Sequence, residues 1–467
     1  MSCPVIGLDR ISAQSIRPQL RPVPSIGHEV VLYDQSTIWT SEHLTPIELN
    51  EWRYRGDPVI DLFFDQYGEQ LQDNEDTYIF IENLNRAEPN HRCDASCQNA
   101  CVINFAKEIR QRPVWFDRAL IERGQLFFRK YSPITTMTTF SYTLILGYGF
   151  QQLNDILLKT EYLSSPDLIE TYHRLLETMQ MIVHAVHGDI DDFDQTFLDV
   201  VRVRLLHGMV RYRFKKSNQQ VPINQEDSLI TLLGFSFAVL YCMEERIGLS
   251  ISEEDKHACL HFWRYIGWVI GIEDEILTYL SSYRSARVIS ESIFYHFYHP
   301  SSISKHLVHH SIMSTYSFTP LPVSFKFYLG LSQALLGEQF AKALDIDQPK
   351  MDVMHRVFIN FVFRMFRFHS WLLNLNIPSL TKWILKRNKQ RSKELISKHL
   401  RNFALFKSYK STAMVAERKA RKDCTCGYYQ KNNQGIFKTH DTGPFKVSFF
   451  ALILPVFFTL AVFLKTP

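Results

Sequence analysis

From Glu51 onward, apolar residues fall at three- and four-residue spacing far more often than they alternate. That spacing marks helices packed on a core, not half-buried strands. It runs through residues 117–130, 141–159, 167–187, 193–214 and 225–245, and no internal repeat accompanies it. Start signals agree: Asn224 precedes Gln225-Glu226-Asp227, and Ser252 precedes Glu253-Glu254-Asp255, each an N-cap with an acidic first turn. The pattern therefore predicts an all-α fold. Residues 1–50 are mixed and punctuated by proline, so a loosely packed N-terminal extension is expected there. The stretch 353–385 is rich in aromatic residues with Arg356, Arg364 and Arg367 interspersed. It reads as a packed core helix, with a helix lying at a membrane interface as the competing reading.

Charge changes the picture at one end. From Lys382 the chain carries 18 Lys and Arg against 4 Asp and Glu, a charge of +14, which leaves residues 1–381 at −10. An acidic body with a basic tether does not describe a nucleic-acid-binding core. The tether leads to an uncharged run at 447–464 between Lys446 and Lys465, with Pro455 inside it. About 18 residues at 1.5 Å each reach roughly 27 Å, the hydrocarbon thickness of a thin bilayer. Proline is tolerated in such a helix. The run predicts a C-terminal transmembrane anchor over 446–465, preceded by an aromatic and basic linker region over 346–445. No secretory signal opens the chain, and basic residues beside an anchor favour the cytosolic face, so the body is expected in the cytosol. Eight cysteines in a cytosolic chain do not make a disulfide framework; Cys93, Cys97, Cys101, Cys424 and Cys426 read as free thiols, the last two open to palmitoylation.

Candidate chemistry narrows by elimination and then by position. HExxH, GxSxG, P-loop and helix-opening GxGxxG motifs are absent, so the corresponding protease, hydrolase, nucleotidase and dinucleotide-binding readings have no support. Two ExxH units, Glu170 to His173 and Glu254 to His257, match the motif of di-iron bundles, but the second lies in a polar first turn and two further inward carboxylates are not evident. His184 and His187 read as a helix C-terminal cap. The remaining histidine of interest is His207. Val200, Val203, His207, Val210 and Phe214 form one apolar stripe, with Arg204 and Arg211 a turn to either side. An imidazole so placed is either a hydrogen-bonded core residue or a metal ligand, and two guanidiniums beside it suit a flat dianionic cofactor such as haem.

Several blocks in order resemble one family. Gly56-Asp57-Pro58, Pro113 to Asp117 with Gly124-Gln125, Ile156 to Thr160, Val203 to Arg211, Pro222 to Asp227 with Thr231 and Phe235, and Trp263 to Gly271 look like the haem-dependent rubber oxygenases and the ER-bound mpaB-type oxygenases. The resemblance covers roughly residues 50–345 and implies an oxygenase-like catalytic domain over 51–345, a globin-like multi-helix core holding haem b. It implies that His207 is the proximal iron ligand, that Arg204 and Arg211 flank it at the cofactor with Thr231, and that Lys159 and Thr160 line the oxygen-binding side. It further implies cleavage of a carbon–carbon double bond of an isoprenoid or other unsaturated lipid by O₂, at the endoplasmic reticulum membrane with the catalytic domain facing the cytosol. The chain departs from the rubber oxygenases in a longer interval between Lys159 and His207, and in Ile156 standing where they carry an arginine. A non-catalytic, membrane-tethered helical protein that binds lipid or a partner on the same scaffold is the alternative.

Overall fold

A computed structural model describes residues 21–32, 35–68, 111–160, 163, 168–190, 198–214, 221–318, 324–347 and 351–400. The 447–464 run and Cys93, Cys97, Cys101, Cys424 and Cys426 lie outside these residues. An antiparallel hairpin, β1 (Glu29–Leu32) with β2 (Gln35–Ile38), comes first, then α1 (Pro46–Trp52) and α2 (Pro58–Tyr67). Both helices begin as their sequences dictate. Thr45 and Asp57 turn side-chain oxygens onto first-turn N–H groups, and a proline takes the first helical position, where no hydrogen bond is lost.

Next come α3 (Arg118–Lys130), capped by Asp117, α4 (Ser132–Thr138), a π-helical turn at Thr139–Thr143, α5 (Leu144–Gly147) and α6 (Gln151–Lys159). The sequence predicts one helix over 141–159, but the chain turns between α5 and α6. Gly149 explains the turn: a Cβ there would lie 2.0 Å from the ring of Tyr298, and Phe150 bridges to the same tyrosine. Two long helices follow, α7 (Leu168–His187) and α8 (Leu198–Phe214). The predicted helix at 225–245 is also divided, into α9 (Gln225–Phe235), α10 (Phe237–Tyr241) and a second π-helical turn at Cys242–Arg246. The break falls at Ser236, whose hydroxyl donates back to the Leu232 carbonyl at 2.7 Å. Asn224 and Asp227 form the capping box at the start of α9.

The central helix is α11 (Glu253–Ile270), capped by Ser252, with Ala258, Cys259, Leu260, Phe262, Trp263 and Tyr265 all buried. It lies against α3 at Gly124, where a Cβ would come within 2.4 Å of the Ala258 carbonyl. After it come α12 (Asp274–Leu277), α13 (Tyr283–Phe297), α14 (Ser302–Phe318), α15 (Phe325–Leu336), α16 (Glu338–Ala343), α17 (Val353–Asn374) and α18 (Pro378–Leu400). Among the described residues the fold is helical apart from the hairpin, as the spacing predicts.

Within residues 21–50 most side chains are exposed or half-buried, but a few anchor the segment to the body. Trp39 is 2% exposed and stacks on His43, whose Nε2 lies 3.0 Å from Glu291 of α13. In α17 the core reading holds for one face: Phe358, Ile359, Val362 and Phe363 are buried, whereas Val353, Val357 and Trp371 are exposed. The helical run Gln225–Arg246 is long and apolar enough to cross a membrane (mean hydropathy 1.4), but 67% of its apolar window is buried inside the protein, as in a core helix.

Candidate functional site

The site is set by how α8 is shared between two neighbours. At about 100° per residue, Val203, Leu206 and Val210 lie to one side of His207, while Arg204, Gly208 and Arg211 lie to the other. The second side crosses α2. Gly208 makes that crossing close, since a Cβ there would sit 2.1 Å from Cγ2 of Ile60. The first side faces a cavity of about 1200 Å³, walled by α5 to α9 and reaching Trp263 of α11. That volume exceeds the ~300–1,000 Å³ usual for small-molecule sites. Its walls are largely apolar, with Phe140, Leu144, Leu157, Met181 and Phe235 among them.

His207 sits on the boundary and is one of the cavity-lining residues. Burial pushes its pKa down to about 3; the Arg211 charge pushes the same way and Asp57 opposes, so the ring is neutral at any physiological pH. Among the described residues neither ring nitrogen makes a hydrogen bond, unlike His43 with Glu291 or His184 with Asp199. Fully buried His296 also lacks hydrogen bonds to its ring nitrogens, but only His207 borders the cavity, where its imidazole is open to a ligand.

Arg204 and Arg211 are placed elsewhere than the sequence suggests. Neither lines the cavity. Arg204 is 4% exposed and makes a bidentate pair with Asp57, Nε to Oδ2 at 2.5 Å and Nη2 to Oδ1 at 2.9 Å. Arg211 donates from Nε to Asp61 at 2.5 Å and from Nη1 to the Ile223 carbonyl at 3.2 Å. Burial holds the Asp61 carboxyl above its ordinary value even with Arg211 beside it. The physical reason is the crossing itself: buried guanidiniums need carboxylates, and α2 presents two a turn apart. Gly271 ends α11 in the left-handed region (φ 96°) directly on this pair, where a Cβ would strike Asp57 Oδ2 at 2.2 Å.

Lys159, Thr160 and Thr231 do line the cavity with His207. Lys159 ends α6, and Thr160 caps it with its hydroxyl donating to the Ile156 carbonyl at 2.8 Å. Thr231 donates likewise to the Asp227 carbonyl at 2.9 Å. With both hydroxyl protons committed to helix carbonyls, these threonines offer a ligand acceptor lone pairs. Arg174, Arg202 and Arg213 also border the cavity. Sequence reasoning did not single them out; Arg202 lies five residues before His207, and its place on the helix was the available signal.

An acidic pair at the start of α9 was read only as a cap. Glu226 is fully buried, 3.3 Å from Nε of Arg53, and neither of its oxygens has a hydrogen bond. Burial pushes its carboxyl up to about 8, against the pull of Arg53 and with a smaller push from Asp227. Burial also raises Asp227, which lines the cavity, to about 6. Folded carboxyls with raised pKa values hold protons that the unfolded chain releases. Their contribution is complete below the ordinary carboxyl range and is lost as pH rises through 6 and 8. Melting temperature should therefore fall across that window, and Glu226→Gln, which cannot ionise, should remove the decline above pH 6. Melts at stepped pH check this; an unchanged slope in the variant refutes it.

Fold and site define an all-helical protein with a large apolar chamber and one neutral, unbonded imidazole in its wall. Residues 162–370, a little under half of the chain, match the family model described as ER-bound oxygenase mpaB/B'/Rubber oxygenase, catalytic domain. The rubber oxygenase of Streptomyces sp. (strain K30) is 23% identical over 184 residues, 37% of this chain and 43% of that protein. The ER-bound oxygenase mpaB of Penicillium brevicompactum is 27% identical over 156 residues, 33% of this chain and 36% of that one. The chain thus spans less than half the length of these curated relatives. In shape it resembles the latex clearing protein LCP in its closed state, with a TM-score of 0.53 and 16% identity, covering 73% of this chain and 90% of that one.

Proposed function

We propose that the chain is a haem b-dependent oxygenase that cleaves a carbon–carbon double bond of an isoprenoid or other unsaturated lipid with O₂. We place it at the endoplasmic reticulum membrane through the 447–464 run, with the catalytic domain facing the cytosol. The observation that carries the reading is His207, neutral, without a hydrogen bond, and facing a chamber larger than an ordinary ligand site. The residues present fit the group: a neutral imidazole is the haem ligand of many oxygen-handling proteins, and the apolar walls suit a porphyrin. His207 would hold the iron. The carboxylates of the porphyrin would meet the cations that line the chamber, Lys159, Arg174, Arg202 and Arg213, of which Arg174 and Arg202 also pair with Glu177 and Asp199; Arg204 and Arg211 lie off the cavity, against α2. Bound there, the haem supplies the oxygen chemistry.

The chain's own residues do the rest. Arg211 lies behind His207 and disfavours its protonation, keeping the ring available as a ligand. Phe140, Leu144, Leu157 and Phe235 exclude water and bind an apolar chain by burial, worth roughly 0.8 kcal/mol per CH₂ group. Lys159 brings a cation to the chamber, able to donate hydrogen bonds, and Thr160 and Thr231 accept them, which fixes where a polar group of a ligand can rest. The test is an absorption spectrum of the purified protein followed by O₂ uptake with a panel of prenyl lipids. A Soret band with cleavage products is expected. Stoichiometric haem with no O₂ uptake on any lipid would favour the non-catalytic lipid-binding alternative.

A further inference from the structure

The outward face of α17 is apolar where a surface helix should be polar. Val353, Val357 and Phe361, then Phe368, Trp371 and the C-cap Leu375, form two groups at spacings of three and four, separated by seven residues with Arg364 between them, all on the side opposite the buried stripe of the same helix. Val353 is 75% exposed, Val357 63% and Trp371 55%, with Phe368 stacked on Trp371. A short turn later, α18 exposes Trp383 beneath the guanidinium of Arg387. Large apolar side chains exposed together on one face mark a contact with something else.

Charge says what that something is. Residues 353–393 contain nine Lys and Arg and no Asp or Glu, although residues 1–381 as a whole carry −10. Arg356, Arg364, Arg367, Lys382, Lys386 and Lys389 are all exposed. Tryptophan and long aliphatic side chains ringed by cations are the composition of a helix seated in the headgroup layer of an anionic bilayer. A second copy offering the same face would meet nine like charges. The sequence that follows reaches the uncharged 447–464 run, which would bring this surface to a membrane in the first place.

We propose that the outer face of α17 and the start of α18 dock on an anionic lipid surface, burying Trp371 and Trp383 among the headgroups and upper acyl chains. The inference rests on this surface and on the 447–464 run that follows it, and stands or falls apart from the haem reading. The chain has seven tryptophans. Trp39, Trp52 and Trp263 are buried and Trp115 and Trp268 partly so, leaving Trp371 and Trp383 as the exposed pair.

The experiment uses the full chain reconstituted in vesicles of phosphatidylcholine and phosphatidylserine, with part of the phosphatidylcholine brominated high on its acyl chains. Tryptophan emission of the wild type should be quenched, and Trp371→Phe/Trp383→Phe should lose that quenching while keeping the same far-ultraviolet circular dichroism. Omitting phosphatidylserine should weaken the quenching. Equal quenching of the two proteins would overturn the proposal. So would protection of Trp371 and Trp383 from iodide in detergent, which would mean that another part of the chain or a second copy covers the face.

Discussion

Replacing His207 by alanine is expected to abolish the Soret band while leaving the fold in place. The ring makes no hydrogen bond to the described protein, so its removal orphans no partner. It borders a large cavity, so the cost should fall below the 2–5 kcal/mol typical of truncating a packed core residue, because there was less packing to lose. What disappears is the one neutral imidazole donor the α8 wall offers to a metal. Free imidazole added to the variant should restore part of the Soret absorbance, since the space left by the side chain opens on the chamber. A variant that keeps stoichiometric haem sinks the ligand assignment. A variant that unfolds would show instead that the ring is a core residue, as the plainer reading of the stripe holds.

Local information carried far in this chain, and long-range information did not. The capping residues Asn224 and Ser252, the helices they start, and the place of His207 on an apolar stripe all follow from residues within a turn or two of each other. The breaks were less legible. Gly149 yields to the ring of Tyr298, about 150 residues away, and the division at Ser236 depends on a hydroxyl turned back on its own helix. The partners of Arg204 and Arg211 lie 147 and 150 residues upstream, so periodicity could not show them. One clue was present. The helical wheel sets both arginines beside Gly208, the close-packing residue, and away from Val203 and Val210. Read that way, the triplet spans two environments: an imidazole toward the cavity and two guanidiniums toward the neighbouring helix.

That division makes Asp57 the residue whose loss should cost the most stability. Its carboxylate takes both donors of a guanidinium only 4% exposed, caps α2 by accepting from Ile60, and supports the left-handed turn at Gly271. Asp57→Ala takes both carboxylate acceptors away from a deeply buried guanidinium, and breaking a buried pair in this way costs about 3–5 kcal/mol. The lost cap, about 1 kcal/mol by itself, overlaps with this because one side chain does both jobs. Asp61→Ala is the natural comparison. Its side chain is 31% exposed, and Arg211 keeps the Ile223 carbonyl, so water reaching the Asp61 side should hold the cost clearly below that of Asp57→Ala. Urea unfolding of the haem-free proteins should therefore separate the two variants widely, with α8 losing its purchase on α2 in the first and not in the second. Equal costs would mean that burial at the crossing does not set the energetics. If Arg204 served the porphyrin carboxylates instead of Asp57, the apoprotein would be nearly indifferent to Asp57→Ala, and its effect would appear in haem retention alone.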